Sequence, residues 1–362
     1  MIPRVTATVN LSAVQHNLRQ VRKLAPSSRV MAAVKADAYG HGAVPVARAL
    51  DEAGVDTLAV ACMEEAQELR EAHLRAPIAL LEGVLSPDEA ALAAYEGLQV
   101  VVHAFWQIEL LEAMPSGSNI AVWFKLDSGM HRLGFPLDAV PRLRQALARH
   151  PSWRFQGWIT HLARADETGS SATIDQIAAF DRALAGVPGA RSIANSAGLI
   201  AWPSARRDWV RPGLALYGAS PLPGKTGAEL GFQPALNLES RILAIRTYEA
   251  GEPIGYGASY VCPERMPIGV VTVGYADGLH RALPNGSPVI VRGRRAPLAG
   301  RVSMDMITVD LRGVADAQVG DPVLIFGEAL PAEEVSERAG TIPYELFCGL
   351  TNRVRFRYLG GE

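Results

Sequence analysis

Lys35 stands where an apolar run, Val30 to Val34, gives way to small and polar residues in AVKADAYGHG (33–42). A primary amine there is a base or a nucleophile only when unprotonated. With an ordinary value of about 10.4, it must first be desolvated or placed beside another cation. Other reactive groups fall at similar junctions. Lys125, Asp127 and Arg132 follow the apolar run 119–124, His161 follows 153–160, Asn195 and Ser196 follow 191–194, and Arg211 and Gly213 follow 208–210. Ser196-Ala197-Gly198 and Pro212-Gly213-Leu214 are small-residue segments whose backbone N–H groups suit an anion such as phosphate.

The elements that must position these groups are readable as well. From residue 30 to about 213, eight short β-rich runs alternate with segments such as VPVARALDEAG and MEEAQELREAH, whose apolar residues recur at three- and four-residue spacing. Eight βα units imply an α/β fold, a (β/α)8 TIM-type barrel over residues 1–231, with the reactive groups at the C-terminal strand ends where barrel enzymes do chemistry. A helix is expected to begin near Ser12 as its N-cap. After residue 231 helical periodicity almost vanishes, and closely spaced strands with Gly and Pro turns predict a mainly antiparallel β domain over 232–362. Short helices are expected there near Pro331 and Tyr344, with SPLPGKTGAELG as the linker.

Composition narrows the partners. Across 362 residues the formal charge is -2, which leaves no basic surplus for nucleic acid or an anionic membrane. No signal-peptide core or spanning segment opens the chain, so a cytoplasmic protein is expected. Cys62, Cys262 and Cys348 lie far apart without CxxC spacing, a pattern that fits buried thiols and neither a metal site nor a disulfide framework.

An amine at one strand end facing a phosphate cradle suits pyridoxal 5'-phosphate, which carries both an aldehyde and a phosphate. Taken alone, these residues leave open a solvated Lys35 paired with Asp37. A resemblance changes that balance. AVKADAYGHG resembles the cofactor-lysine signature of the alanine racemase family, and similar motifs follow in order: FKLDSGMHRLGF (124–135), THLARAD (160–166), ANSAG (194–198), WVRPGLALYG (209–218), GYGASY (255–260), GYADG (274–278), GRVSMDM (300–306) and TIPYELFC (341–348).

The resemblance implies a racemase, an isomerase interconverting L- and D-alanine, with Lys35 holding the cofactor as an internal aldimine. It implies cofactor contacts from Tyr39, His161, Asn195, Ser196, Gly213, Leu214 and Tyr344, with Arg211 facing the pyridine nitrogen. Inversion at a carbon needs a base on each face. By resemblance these are Lys35 and Tyr256, the latter reaching the site of the other subunit in a homodimer. Arg132 and the backbone of Met304 would meet the substrate, Tyr275 and Tyr344 would narrow its entry, and Lys125 matches a position that can be carbamylated. D-alanine for peptidoglycan or L-alanine for breakdown are both compatible roles.

Overall fold

The computed structural model describes residues 4–115 and 117–360. The chain divides into two compact units, one comprising Gln15–Leu216 with Ser220–Gly224, the other Met1–Val14, Tyr217–Ala219 and Lys225–Glu362.

The first unit is a closed parallel barrel. After a first strand, β1 (Thr6–Asn10), come β2 (Arg29–Ala33), β3 (Thr57–Val60), β4 (Ile78–Leu80), β5 (Gln99–Val102), β6 (Ala121–Lys125), β7 (Arg154–Ile159), β8 (Ala190–Ser192) and β9 (Trp209–Val210). β2 through β9 form the ring, which closes where Arg29 and Val30 pair with Trp209 and Val210. Helices follow most strands and bury one face each, as Val46, Ala47 and Leu50 do in Ala43–Glu52. The eight strands expected from the sequence are the eight of the ring.

Side chains fill the interior. Met31, Ala59, Ala79, Val101, Trp123, Ile159 and Trp209 form one cluster with Ala190 against it. Trp123 dominates the layer, donating from its indole N–H to Gln99 Oε1 at 2.8 Å and standing edge-on to Trp209, 5.6 Å between ring centres. So large a ring needs space beside it. Gly157 provides it, since a Cβ there would lie 2.8 Å from Trp123 Cζ3 and 2.2 Å from the Ala190 carbonyl oxygen.

The second unit is organised on β10 (Leu236–Tyr248), which pairs antiparallel with β1 and with the strands Met266–Val271 and Pro322–Phe326. Here the structure departs from a single boundary at residue 231. β1 joins this sheet, antiparallel to β10 (Thr6 opposite Glu239) and parallel to Arg355–Leu359 (Thr6 opposite Arg355). The reason is edge satisfaction, because β1 supplies ladder partners to two strands at once while burying Ala7 and Val9. The following helix, Leu11–Leu24, consequently starts at the end of β1, and Asn10 Oδ1 accepts from Ala13 N at 3.1 Å, so the cap is Asn10 and not Ser12. Helices Ala332–Ala339 and Pro343–Cys348 fall where Pro331 and Tyr344 indicate. Of the three thiols only Cys262 is buried; Cys62 is half-buried and Cys348 exposed.

Because β1 is continuous with the second sheet, residues 232–362 expressed alone will expose two unpaired strand edges. The isolated fragment is expected to aggregate or show a collapsed amide spectrum, and a peptide of residues 4–14 added in trans to restore dispersed resonances. A well-folded monomeric fragment without that peptide would contradict the assignment.

Candidate active site

Strand alternation explains why distant residues meet. Side chains two positions apart share a face, so beyond each interior residue the next inward position lies toward the C-terminal rim. Beyond Trp123 this is Lys125, beyond Ile159 it is His161, beyond Trp209 it is Arg211, and four residues beyond Met31 it is Lys35. Ala190 is followed in the same way by Ser192.

Lys35, Lys125 and Arg211, with Arg132, form a cluster of like charge around His161. Burial and the charges of Arg211, Arg132 and Lys35 pull the Lys125 ammonium down to about 8. Burial and the charges of Arg211, Lys125, Arg132 and Lys35 hold His161 down to about 3, so its ring is neutral at physiological pH. Burial also lowers Arg211, to about 9, which leaves it a cation at neutral pH.

No carboxylate forms an ion pair with Arg211 or Lys125 among the described residues. Arg211 is 7% exposed and is held by neutral acceptors. Its guanidinium donates to Ser192 Oγ at 2.7 Å, to the Ile193 carbonyl at 3.3 Å and to the Thr160 carbonyl. It also donates to His161 Nδ1 at 3.4 Å. Arginine only donates, so Nδ1 must be the acceptor and the neutral imidazole carries its proton on Nε2. Asp127, the carboxylate closest in sequence to Lys125, has another task. Its Oδ1 accepts from the backbone N–H groups of Gly129, Met130 and His131 at 2.9 to 3.0 Å, folding the loop that carries Arg132.

The segment after Lys35 has an unusual backbone. Ala36, Asp37, Ala38 and Tyr39 all have φ between 51° and 53°, one full left-handed turn without glycine, followed by Gly40 at 71°. Left-handed helix costs L-residues about 1–2 kcal/mol each, so the surroundings must hold it. His41 Nδ1 lies 2.8 Å from the Tyr39 carbonyl, and Asp37 Oδ1 accepts from Ala43 N at 2.6 Å. Burial pushes the Asp37 carboxyl up and His41 down to about 4. The turn delivers the Tyr39 hydroxyl to Gly213, where a Cβ would lie only 2.5 Å from that oxygen.

Ser196 Oγ accepts from Gly213 N at 2.9 Å and Ala215 N at 3.2 Å, which leaves its own proton to give elsewhere. The Gly213 amide is thereby spent, and what Gly213 contributes is clearance. The N–H of fully buried Leu214 has no partner among the described residues, a costly condition that an anion at this place would relieve. Asn195 Oδ1 accepts from Gly198 N at 2.9 Å and so serves first as the cap of helix Ser196–Ala201. A basic mouth, a hydroxyl aimed past a glycine and an unmet N–H fit a phosphate-bearing aldehyde.

The remaining predicted residues lie in the second unit. Tyr256 rises from a 3-10 turn between Gly255 and Gly257, both at positive φ, and is 72% exposed. Met304 is 52% exposed, which is not core filling. Its loop is stitched to that of Tyr275, since Tyr275 N donates to Ser303 O and Ala276 N to Met304 O, both at 3.0 Å. Gly274 permits this approach, because a Cβ there would lie 2.3 Å from Met304 O. Tyr344 lies in helix Pro343–Cys348. Sequence reasoning missed Glu65, Thr160 and Ser192. Ser192 was within reach of the alternation rule, while Thr160 acts through a backbone carbonyl that no residue type signals.

Comparison with known proteins agrees over the whole length. The profile described as alanine racemase, N-terminal domain, matches residues 9–221, and that of the C-terminal domain matches 235–358. Alanine racemase from Halorhodospira halophila is 48% identical over 98% of both chains, and a catabolic alanine racemase from Pseudomonas putida is likewise 48% identical over 98% of both. Among solved structures, the biosynthetic alanine racemase of Pseudomonas aeruginosa superposes with a TM-score of 0.95 at 44% identity, covering 99% of this chain and 100% of that one. The alanine racemase of Bartonella henselae with covalently bound pyridoxal phosphate gives 0.89 at 31%, covering 99% and 100%. A basic barrel mouth with a lysine at its rim and an appended β unit, matched in this way, defines a pyridoxal-phosphate-dependent racemase, an isomerase. The chain belongs to the alanine racemase family.

The two buried imidazoles have a measurable consequence. His161 and His41 titrate in the fold at about 3 and about 4, against 6.5 for an unperturbed histidine. Below pH 6.5 the unfolded chain takes up protons that the folded chain refuses, so these groups withdraw stability as pH falls from 6.5 toward 4. In His161→Gln, proton uptake on unfolding at pH 5 is expected to drop by about one, read by calorimetry in buffers of different ionisation enthalpy. An unchanged uptake would mean that His161 is charged in the fold.

Proposed function

We propose that the protein interconverts L- and D-alanine with pyridoxal 5'-phosphate held on Lys35, and that Lys35 and Tyr256 are its two bases. The observation that carries this reading is the convergence of Lys35 with the neutrally anchored Arg211 in one barrel mouth, in a chain related to alanine racemases from end to end. Tyr39, Ser196, Leu214 and Tyr344 would hold the phosphate, with Gly213 giving Tyr39 its clearance and Asn195 holding the Ser196 helix in place. When bound, the cofactor supplies the electron sink that acidifies the substrate's Cα.

Arg211 would face the ring nitrogen and, having no proton to give at neutral pH, keep that sink moderate. Protonation at the wrong carbon is then disfavoured, as racemisation requires. His161, neutral and fixed by Arg211, holds the guanidinium in this pose. Arg132 and the Met304 backbone would orient the substrate carboxylate. Tyr275 and Tyr344 would restrict entry to a small side chain, which favours alanine over larger amino acids.

Lys35 would take the proton from the D isomer while Tyr256 delivers one to the opposite face, and the two exchange roles on the L isomer. Tyr256 is largely exposed on its own chain, as are Val261, Met304 and Ile342 in the same unit. Such apolar exposure suits an interface, and we place Tyr256 in the site of a second copy in a head-to-tail homodimer. Among the described residues no helix is long and apolar enough to cross a membrane. We assign the enzyme to the cytoplasm, where it supplies D-alanine for peptidoglycan or L-alanine for breakdown; matched relatives are named for either direction.

Lys125, brought down to about 8, has an appreciable unprotonated fraction at neutral pH. Its amine can add carbon dioxide, forming an N–C bond and losing a proton, and the resulting carbamate would neutralise part of the cluster and orient Arg132. Native-state mass analysis of a Lys125 peptide is expected to show the added mass of one carbon dioxide, lost on acidification; an unmodified peptide from enzyme prepared with bicarbonate would remove this part of the reading.

Borohydride treatment of the holoenzyme is expected to bleach the cofactor absorbance and leave a reduced adduct on Lys35. Tyr256→Phe should keep that adduct while losing roughly 10²- to 10⁴-fold in racemisation, the range for removing one general acid–base group. Activity measured across alanine, serine, lysine and arginine should be highest on alanine. Absence of the adduct, or full activity in the Phe variant, would overturn the mechanism.

A further inference from the structure

The left-handed turn after Lys35 must be held from outside, and the contact nearest the lysine comes from another βα unit. Glu65 Oε1 accepts from the Ala36 backbone N–H at 2.7 Å, and Glu65 Oε2 accepts from Ala61 N, also at 2.7 Å. Ala36 N belongs to the peptide that leaves Lys35. Ala61 directly follows β3, the neighbour of β2 in the ring. One carboxylate therefore ties the chain just beyond Lys35 to the end of the adjacent strand.

Glu65 lies in the first turn of helix Met63–Glu71, whose N-cap residue, Cys62, makes no side-chain capping bond. An acidic residue there favours the helix dipole in any case. Its two oxygens, however, are both committed to backbone N–H groups outside the helix, each a charge-assisted bond. The other bonds of the turn lie within its own segment. Ala38 N donates to Val34 O at 2.8 Å, and His41 N and Gly42 N donate to Asp37 O at 2.9 and 3.0 Å. The Val34 carbonyl belongs to the peptide that enters Lys35 and is held within the turn, while Glu65 holds the peptide that leaves it, and the two together set the direction of the Lys35 Cα–Cβ bond. A long, flexible side chain magnifies any error in that direction at its amine.

We propose that Glu65 is a positioning residue that aims Lys35 as one of the two bases. The inference rests on the two-base reading above. Both Glu65 oxygens are spent on backbone N–H groups beside Lys35 and β3, so the signature of Glu65 must appear at the lysine-side proton transfer and not at the tyrosine side.

Glu65→Gln keeps the size but replaces one acceptor by an N–H₂ donor; Glu65→Asp keeps the charge but shortens the reach. Both are to be made in the full-length holoenzyme and compared with wild type using Cα-deuterated D- and L-alanine. Because the two alanines are mirror images, kcat/KM must fall equally in both directions, by roughly ten- to a hundredfold for a base misplaced on the ångström scale. The isotope effects separate the two sides. If Lys35 is misaimed, its proton transfer becomes rate-limiting, so the effect rises with deuterated D-alanine and falls with deuterated L-alanine, while recovered L-alanine gains solvent hydrogen. A general loss of packing would move neither. Hydrogen exchange at the Ala36 amide, followed in the cofactor-free protein, should accelerate in both variants. Unchanged isotope effects, a shift in the opposite sense, or an unchanged Ala36 exchange rate would each overturn the proposal. Failure of Lys35 to form the borohydride adduct in the wild-type enzyme would instead overturn the reading on which it rests.

Discussion

Mutual repulsion among basic groups in the barrel mouth is the constraint to which the rest of the site answers. Burial, joined by the charges of Arg211, Lys125, Arg132 and Lys35, holds His161 down to about 3, and burial with the charges of Arg211, Arg132 and Lys35 brings Lys125 to about 8. Holding Arg211 and Lys125 with no carboxylate ion pair among the described residues costs folding energy, and the barrel meets that cost in an ordered way. Neutral acceptors from the ends of β7 and β8 hold the Arg211 guanidinium in place without cancelling its charge. Repulsion left unrelieved in the polypeptide is relieved by an anionic ligand, which is how a site built for binding differs from one built for stability.

The same logic governs the backbone. A left-handed turn of four L-residues is unfavourable by itself, on the order of 4–8 kcal/mol in total at the usual cost per residue. It persists because Asp37 and His41 bond it locally and Glu65 bonds it from the next βα unit. Its outcome is positional: the lysine and the Tyr39 hydroxyl are separated by a compact, rigid step instead of a flexible loop. Gly213 completes the arrangement by leaving the volume that Tyr39 occupies. In the second unit Tyr256 is presented by an equally local device, two flanking glycines at positive φ.

Much of this was legible in the residues. The eight barrel strands follow from alternation of β-rich runs with three- and four-residue periodicity, and the strand-end rule singled out Lys35, Lys125, His161, Ser196 and Arg211. The β domain was legible in its Gly and Pro turns, and its two short helices near Pro331 and Tyr344. What escaped has physical causes. A five-residue strand before a helix carries too little pattern to reveal which sheet it joins, so β1 was assigned with the barrel. Glu65 looks like any acidic residue in the first turn of a helix, because its role depends on backbone N–H groups that carry no sequence signal.

The sequence by itself determined the periodicities, and through them the fold class and the strand ends at which the reactive groups fall, because strand and helix periods are local properties of the chain. It also determined the family, through motifs spread along the chain. Only the tertiary structure decided the electrostatics and the aim of the groups. Whether Lys125 is paired or repelled, which nitrogen of His161 bears the proton, and which carboxylate holds the peptide beside Lys35 depend on distances between segments far apart in the chain. Such distances are set by ring closure and packing, to which no local pattern has access.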